Sequence, residues 1–225
     1  MANGSYRGLH GRRNPSRGFS LIEVMVSIAI LGLLSVIVVL DLNAGKRREE
    51  LQAGVRVLAA DIRALQTRAL TAQNIKSCKN VTKNIVCETS ASKCSTPGSC
   101  TPIPPYGVGL HLTTGGATYT FFADVDSSKN DWKETLGEDE AFFTRNLALS
   151  GASNITILEL TAPGTVTKSE VHIAFERQNG RMHINPCVAG PACEVPSFTI
   201  KLRHDKNGET KNVTVNAATG RVSIE

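Results

Sequence analysis

Between Phe19 and Leu40 the chain runs FSLIEVMVSIAILGLLSVIVVL, 22 residues with a single charge, Glu23. Coiled as an α-helix at about 1.5 Å per residue, such a run just crosses a hydrocarbon core of roughly 30 Å. A secretory signal peptide has a shorter apolar region and a small-residue cleavage site after it. Here an amphipathic pattern follows directly, so the run reads as a membrane-spanning helix that continues beyond the membrane. Residues 1–18 carry Arg7, Arg12, Arg13 and Arg17 and no acid, the cytoplasmic flank that the positive-inside rule expects. Without them the chain has 21 basic and 20 acidic residues, so most of the formal +5 belongs to this flank. The sequence pI near 9.0 is therefore no argument for nucleic-acid binding by the rest of the chain. Glu23 is the anomaly. A carboxylate inside an apolar span costs around 3 kcal/mol on insertion scales, and the run holds no Lys or Arg to pair with it. Its partner must come from elsewhere, and a free α-amino group created by cleavage has the right charge.

The segment RGFSLIEVMVSIAILGLL resembles the prepilin cleavage motif of type IV pilins and type II secretion pseudopilins. That motif has a Gly, then Phe, then a Glu as fifth residue of the mature chain, then an apolar helix; Gly18, Phe19 and Glu23 match it. The resemblance implies cleavage between Gly18 and Phe19 by a membrane prepilin peptidase and N-methylation of Phe19. It also implies that Glu23 neutralises the N-terminal amine of a neighbouring subunit during assembly. The family often has a helix-breaking proline in the helix that follows, and this chain has none there.

Beyond Asp41, Leu51, Val55, Leu58, Ile62, Leu65 and Ala69 recur at steps of four and three, one apolar stripe on a helix. The whole helix is expected over about residues 20–74, with Gly45 and Gly54 softening it. Arg47, Arg48, Glu49, Glu50, Arg56, Asp61, Arg63 and Arg68 fall mostly on other faces and read as solvated charges serving solubility and helix pairing.

Six cysteines, Cys78, Cys87, Cys94, Cys100, Cys187 and Cys193, all follow the apolar run, and none sits in a Cys-x-x-Cys pair. An even count on the exported side of a membrane reads as disulfides; a zinc site is the rival, at wider spacings than usual zinc knuckles. Local pairing is expected: Cys78–Cys87, Cys94–Cys100 and Cys187–Cys193. Residues 75–105 are rich in Cys, Ser, Thr, Lys and Pro and read as a stapled surface insertion, either decoration or a recognition surface.

From Tyr106 onward, YGVGLHL, TYTFFADV, NITILEL, EVHIAFE, SFTIKLRH, KNVTVNA and GRVSIE are short β-rich runs. Gly115-Gly116, Asn179-Gly180, Asn207-Gly208 and Thr219-Gly220 mark turns. Strands without intervening helices predict an antiparallel sheet or sandwich, so the fold class is α+β. The order YGVGL, ATYTFFADVDSSKNDWKETLGEDE, HIAFERQNGRM and TGRVSIE resembles the minor pilin family containing GspH and FimT, across residues 18–225 apart from the cysteine-rich insertion. That resemblance implies a type IV pilin-like fold, a long helix packed on an antiparallel two-sheet β domain. It also implies a low-copy role initiating or capping a filament.

Asp124, Asp126, Asn130, Asp131 and Glu134 share one loop, where close oxygen ligands can hold Ca²⁺. The EF-hand pattern fails, because Lys129 replaces its glycine and Thr135 its final glutamate; a polar hairpin loop is the alternative. His111, His172, His183 and His204 lie on separate strands, with no nucleophile placed beside them as a catalytic set. No phosphate-binding or dinucleotide fingerprint is present and no cofactor is expected, so an enzyme is not. Lys201, Arg203, Lys206, Lys211 and Arg221 form a basic C-terminal stretch. Some relatives bind DNA through arginines around a C-terminal Gly-Arg segment. Gly220-Arg221 is present here, but no second arginine follows, and Asp205, Glu209 and Glu225 dilute the field.

The reading divides the chain into a leader (1–18), a transmembrane half-helix (19–40), an amphipathic half-helix (41–74), the insertion (75–105) and a β-rich head (106–225). It expects a minor pilin or pseudopilin of a type IV pilus or type II secretion machine, single-pass in the bacterial inner membrane with its head outside the cytoplasm. The expected partners are other pilins or pseudopilins, the prepilin peptidase and the inner-membrane assembly platform. A DNA-binding pilin for transformation is the alternative, and a tethered adhesin or substrate receptor using the insertion is a third.

Overall fold

The computed structural model describes residues 18–80, 83–87, 94, 96, 100–125, 141–148, 154–186 and 194–225. The chain divides into two units, Met1–Asn43 and Ala44–Glu225. One helix, α1 (Leu21–Leu70), begins in the first and ends in the second.

In the first unit α1 is long and apolar enough to cross a membrane by length and composition. Its serines, Ser27 and Ser35, are satisfied within the helix. Ser27 Oγ donates to the Glu23 carbonyl at 2.7 Å and Ser35 Oγ to the Leu31 carbonyl at 2.8 Å, so neither hydroxyl needs water.

In the second unit the expected stripe is the buried one: Leu51, Val55, Leu58, Ile62, Leu65 and Ala69 are each at most 4% exposed. It packs into a core shared with two five-stranded antiparallel sheets. One sheet has the order β10 (Met182–Asn185), β9 (Glu170–Glu176), β4 (Gly107–Thr113), β5 (Thr118–Asp124), β6 (Ala141–Asn146). The other has the order β13 (Arg221–Ile224), β12 (Thr210–Asn216), β11 (Ser197–His204), β7 (Ile155–Ala162), β8 (Val166–Lys168). Period-two alternation sends Leu110, Leu112, Val171 and Ile173 inward from the first sheet, and Phe198, Ile200, Leu202, Val213 and Val215 from the second. The four expected turns hold glycines with φ between 62° and 80°, at Gly115, Gly180, Gly208 and Gly220, a conformation that L side chains avoid. The architecture is thus α+β with antiparallel sheets.

Gly54 does not soften the helix; it lets it approach the sheets. A Cβ there would lie 2.8 Å from Ile155 Cδ1 and 3.0 Å from the Leu147 carbonyl oxygen. The helix stops at Leu70, short of the expected 74. Gln73 N–H bonds to the Arg68 carbonyl and Ala72 N–H to the Ala69 carbonyl, with Ala72 at φ 47°. This is a Schellman end with alanine where glycine is usual.

The charges on this part of α1 are not simply solvated, contrary to the sequence expectation. Asp61 accepts from Arg145 at 2.7 and 2.8 Å and from the Tyr119 hydroxyl. Arg63 Nη2 donates to the Val222 carbonyl on edge strand β13 at 2.8 Å, and Arg68 lies 5.0 Å over the Phe142 ring. Buried His204 sits 3.1 Å from Glu50, with its other nitrogen accepting from Lys206 N–H. Helix charges therefore fasten α1 to both sheets. Their partners lie far away in sequence, so helical periodicity alone could not show them.

A third, three-stranded sheet occupies part of the insertion: β2 (Lys83–Val86), β1 (Ile75–Asn80), β3 (Thr101–Ile103). The expected local cysteine pairing is wrong here: Cys78 bonds to Cys94 and Cys87 to Cys100. The β1–β2 register sets Ile85, not Cys87, opposite Cys78. The two cysteines are offset along the hairpin, and each reaches the segment that leads into β3. Closing loops of this size stabilises by about 3 kcal/mol per disulfide in the chain-entropy model. Sulfurs of Cys78, Cys87 and Cys94 are close enough to share an ion, but as disulfides they are not thiolate ligands. Cys187 and Cys193 lie outside the described residues.

Two outcomes follow for thermal melts of the disulfide-intact protein. Ala72→Gly relieves left-handed strain and should stabilise by about 0.5–1 kcal/mol, less than the full strain because glycine also loosens the unfolded chain. An unchanged or lower Tm would contradict the Schellman end. Burial, then the hydrogen bond and charge of Asp61, raise the Tyr119 pKa above its ordinary value. The folded state therefore holds this proton more tightly than the unfolded state. The resulting stability is whole below about pH 10 and is lost as pH rises further. Tyr119→Phe should flatten the fall in Tm from about pH 9 to 11; an unchanged slope would remove Tyr119 from the account.

Candidate functional site

The N-terminal motif is built on the first turn of α1. Gly18 and Phe19 are exposed ahead of the helix. Ser20 caps it: Glu23 N–H donates to Ser20 Oγ at 3.3 Å. Ser20 and Glu23 have the Ser-x-x-Glu spacing of a capping box. Sequence reasoning assigned Glu23 its charge and missed Ser20, although that spacing was legible. A carboxylate in the first turn is also favoured by the helix dipole. Around it the surface is apolar: Phe19 is 79%, Leu21 80%, Ile22 71% and Met25 63% exposed. Glu23 thus stands as one exposed carboxylate in a collar of exposed apolar side chains. A Cβ at Gly18 would meet nothing within 4 Å, so packing within this chain does not require glycine there.

The basic C-terminal residues do not gather. Lys201 and Arg203 share the face of β11 turned from the core, but Lys201 lies 3.9 Å from Glu159 and Arg203 3.4 Å from Asp205. Glu225 pairs through its backbone with Asn212, which stands opposite Lys201. Arg221 pairs with Asn216 near the other end of the sheet, beyond the Thr199–Thr214–Ser223 row. Lys206 is exposed in the β11–β12 turn, and Lys211 stands opposite core residue Leu202. A phosphate backbone would meet alternating charge here, which weakens the salt-dependent attraction such binding needs.

Of the calcium candidates, Asp124 is buried at the end of β5; Asp126, Asn130, Asp131 and Glu134 lie outside the described residues. The histidines are less scattered than the sequence implies. Strand register places His111 opposite His172, and their rings stack with centroids 4.3 Å apart. His183 engages Glu194 and Glu176 instead, and His204 faces Glu50 on the helix. Between α1 and the first sheet an open groove of about 800 Å³ is lined by Asp61, Leu65, Arg68, Phe142, Phe143 and Arg145.

Residues 13–39 match the family model of the prokaryotic N-terminal methylation motif. No curated protein and no solved structure matched the chain. The matched residues enclose Gly18, Phe19, the capped first turn and the apolar part of α1, and the match supports a type IV pilin-like protein associated with a membrane.

Proposed function

We propose that the protein is a minor pilin or pseudopilin, a structural subunit that initiates or caps a type IV pilus or type II secretion pseudopilus. One observation carries the reading. Glu23 stands exposed in the capped first turn, inside the matched motif, and the large apolar side chains from Leu21 to Val39 are 46–80% exposed around and beyond it. Burying a single side chain of this kind is worth about 1.5–3 kcal/mol, so the segment must lie in lipid or against other helices. Lipid and neighbouring helices are equally apolar, so the hydrophobic effect does not drive transfer between them. Charge does distinguish them. A carboxylate about 4 Å from an ammonium gains about 4 kcal/mol at an effective dielectric of 20. In this proposal cleavage after Gly18 frees the Phe19 amine, and Glu23 pairs with the amine of an adjacent subunit. That pairing sets the axial stagger as subunits leave the membrane pool through an assembly platform. The open surroundings of Gly18 support a requirement imposed by a peptidase and not by the fold. DNA capture has no supporting observation, given the dispersed basic residues.

The test is Glu23→Gln in a host carrying the cognate pilins. The variant should reach the membrane and be processed, yet fall at least about tenfold in the sheared filament fraction, consistent with losing more than 1.4 kcal/mol of pairing. Incorporation at the wild-type level would overturn the assembly role of Glu23.

A further inference from the structure

We propose that His111, His172 and Glu170 form a binding site for a divalent transition metal ion of the borderline class, with Zn²⁺ the best-fitting occupant. The three residues share one face of two adjacent strands. His111 on β4 is in register with His172 on β9, and Glu170 lies two residues before His172 on the same pleat. The intervening Val171 with its partner Leu112, and Ile173 with its partner Leu110, point into the core. The trio therefore occupies the face turned away from it.

Each of the three residues offers one ligand atom, and these atoms lie within 4.8 Å of one another. His111 Nε2 is 3.4 Å from Glu170 Oε2. Tetrahedral ligands held at 2.0–2.2 Å from zinc are about 3.4 Å apart. The ligand atoms are thus near the spacing an ion needs; because an imidazole binds a metal in its ring plane, the two rings close on it by turning out of their stacked arrangement about the broad histidine χ2. The stack, 5° from parallel, brings two imidazoles to the same place beside one carboxylate, and a divalent cation bound by two neutral imidazoles and one carboxylate leaves a net charge of about +1.

The surroundings pack against one side of the site. Phe122 meets the His172 ring edge-on at 6.0 Å. It reaches that position only because residue 109 is glycine: a Cβ on Gly109 would lie 2.5 Å from the Phe122 ring. His172 is 3% exposed and the side chains of His111 and Glu170 are 13% exposed, so the ligands are largely dehydrated with one side accessible. Two imidazoles and a carboxylate suit Zn²⁺, Cu²⁺ or Ni²⁺, whereas Ca²⁺ and Mg²⁺ take oxygen ligands. Three protein ligands leave a fourth position for water or a group from another molecule. The site stands independently of the assembly reading.

The experiment uses the full chain in detergent, untagged, disulfide-intact and stripped of metal. Calorimetric titration with Zn²⁺ should give one ion per chain. His111→Ala, His172→Ala and Glu170→Gln should each weaken binding about tenfold or more, and the double histidine variant should abolish it. Cu²⁺ bound to the wild type should show paramagnetic coupling to two nitrogens, a readout that does not depend on the variants folding. No binding to the folded wild type would overturn the proposal. So would stoichiometric binding that survives the double histidine substitution, or a copper spectrum without two-nitrogen coupling. In those cases His111 and Glu170 form only an ion pair with His172 stacked upon it.

Discussion

A single helix has to satisfy two solvents, and the rest of the molecule is arranged around that demand. From Leu21 to Val39 α1 is apolar on every side and its side chains are exposed; from Leu51 to Ala69 only one stripe is apolar, and that stripe is buried. The change is written in the residues. An all-round apolar surface suits hydrocarbon, and a stripe suits the inner face of a globular core. Serines in the first part bond to the helix itself, while charges in the second part bond to the sheets.

Those charges explain how a helix with a narrow apolar stripe is held firmly. Asp61 joins Arg145 and Tyr119 on the first sheet. Arg63 occupies a carbonyl of edge strand β13 in the second, and Glu50 meets the buried His204. Gly54 allows the close approach that brings these groups within reach. At the far end, Gln178 N–H donates to the Ala69 carbonyl, so the β9–β10 turn helps to close the helix. Removing one partner from such a contact leaves a partly buried charge, which costs more than the contact itself contributes.

Features set by local pattern were legible in the sequence. The stripe, the seven β-rich runs, the glycine turns and the α+β class follow from periodicity, residue type and backbone sterics acting over a few residues. Features set by pairing at a distance were not. β6 begins Ala141-Phe142-Phe143 with no alternation, β10 is buried along its whole length, and β8 has three residues; each is too short or too uniform to signal a strand. The cysteine pairing depended on the β1–β2 register, and the His111–His172 stack on the β4–β9 register. Neither register can be read from one strand alone. At the N-terminus the methylation motif was legible because its residues are contiguous, and the family model matches it over residues 13–39; the capping role of Ser20 was not read, although its spacing from Glu23 was local too.

The proposed function joins a carboxylate set among exposed apolar side chains to a processing event, in which cleavage after Gly18 supplies the amine that pairs with Glu23. Intact-mass analysis of the protein extracted from membranes of a host with an active prepilin peptidase tests this most directly. The account predicts a chain that begins at Phe19, lacks residues 1–18 and carries one added methyl group at its N-terminus. A chain still beginning at Met1, or cut at a site beyond the apolar run, would contradict it.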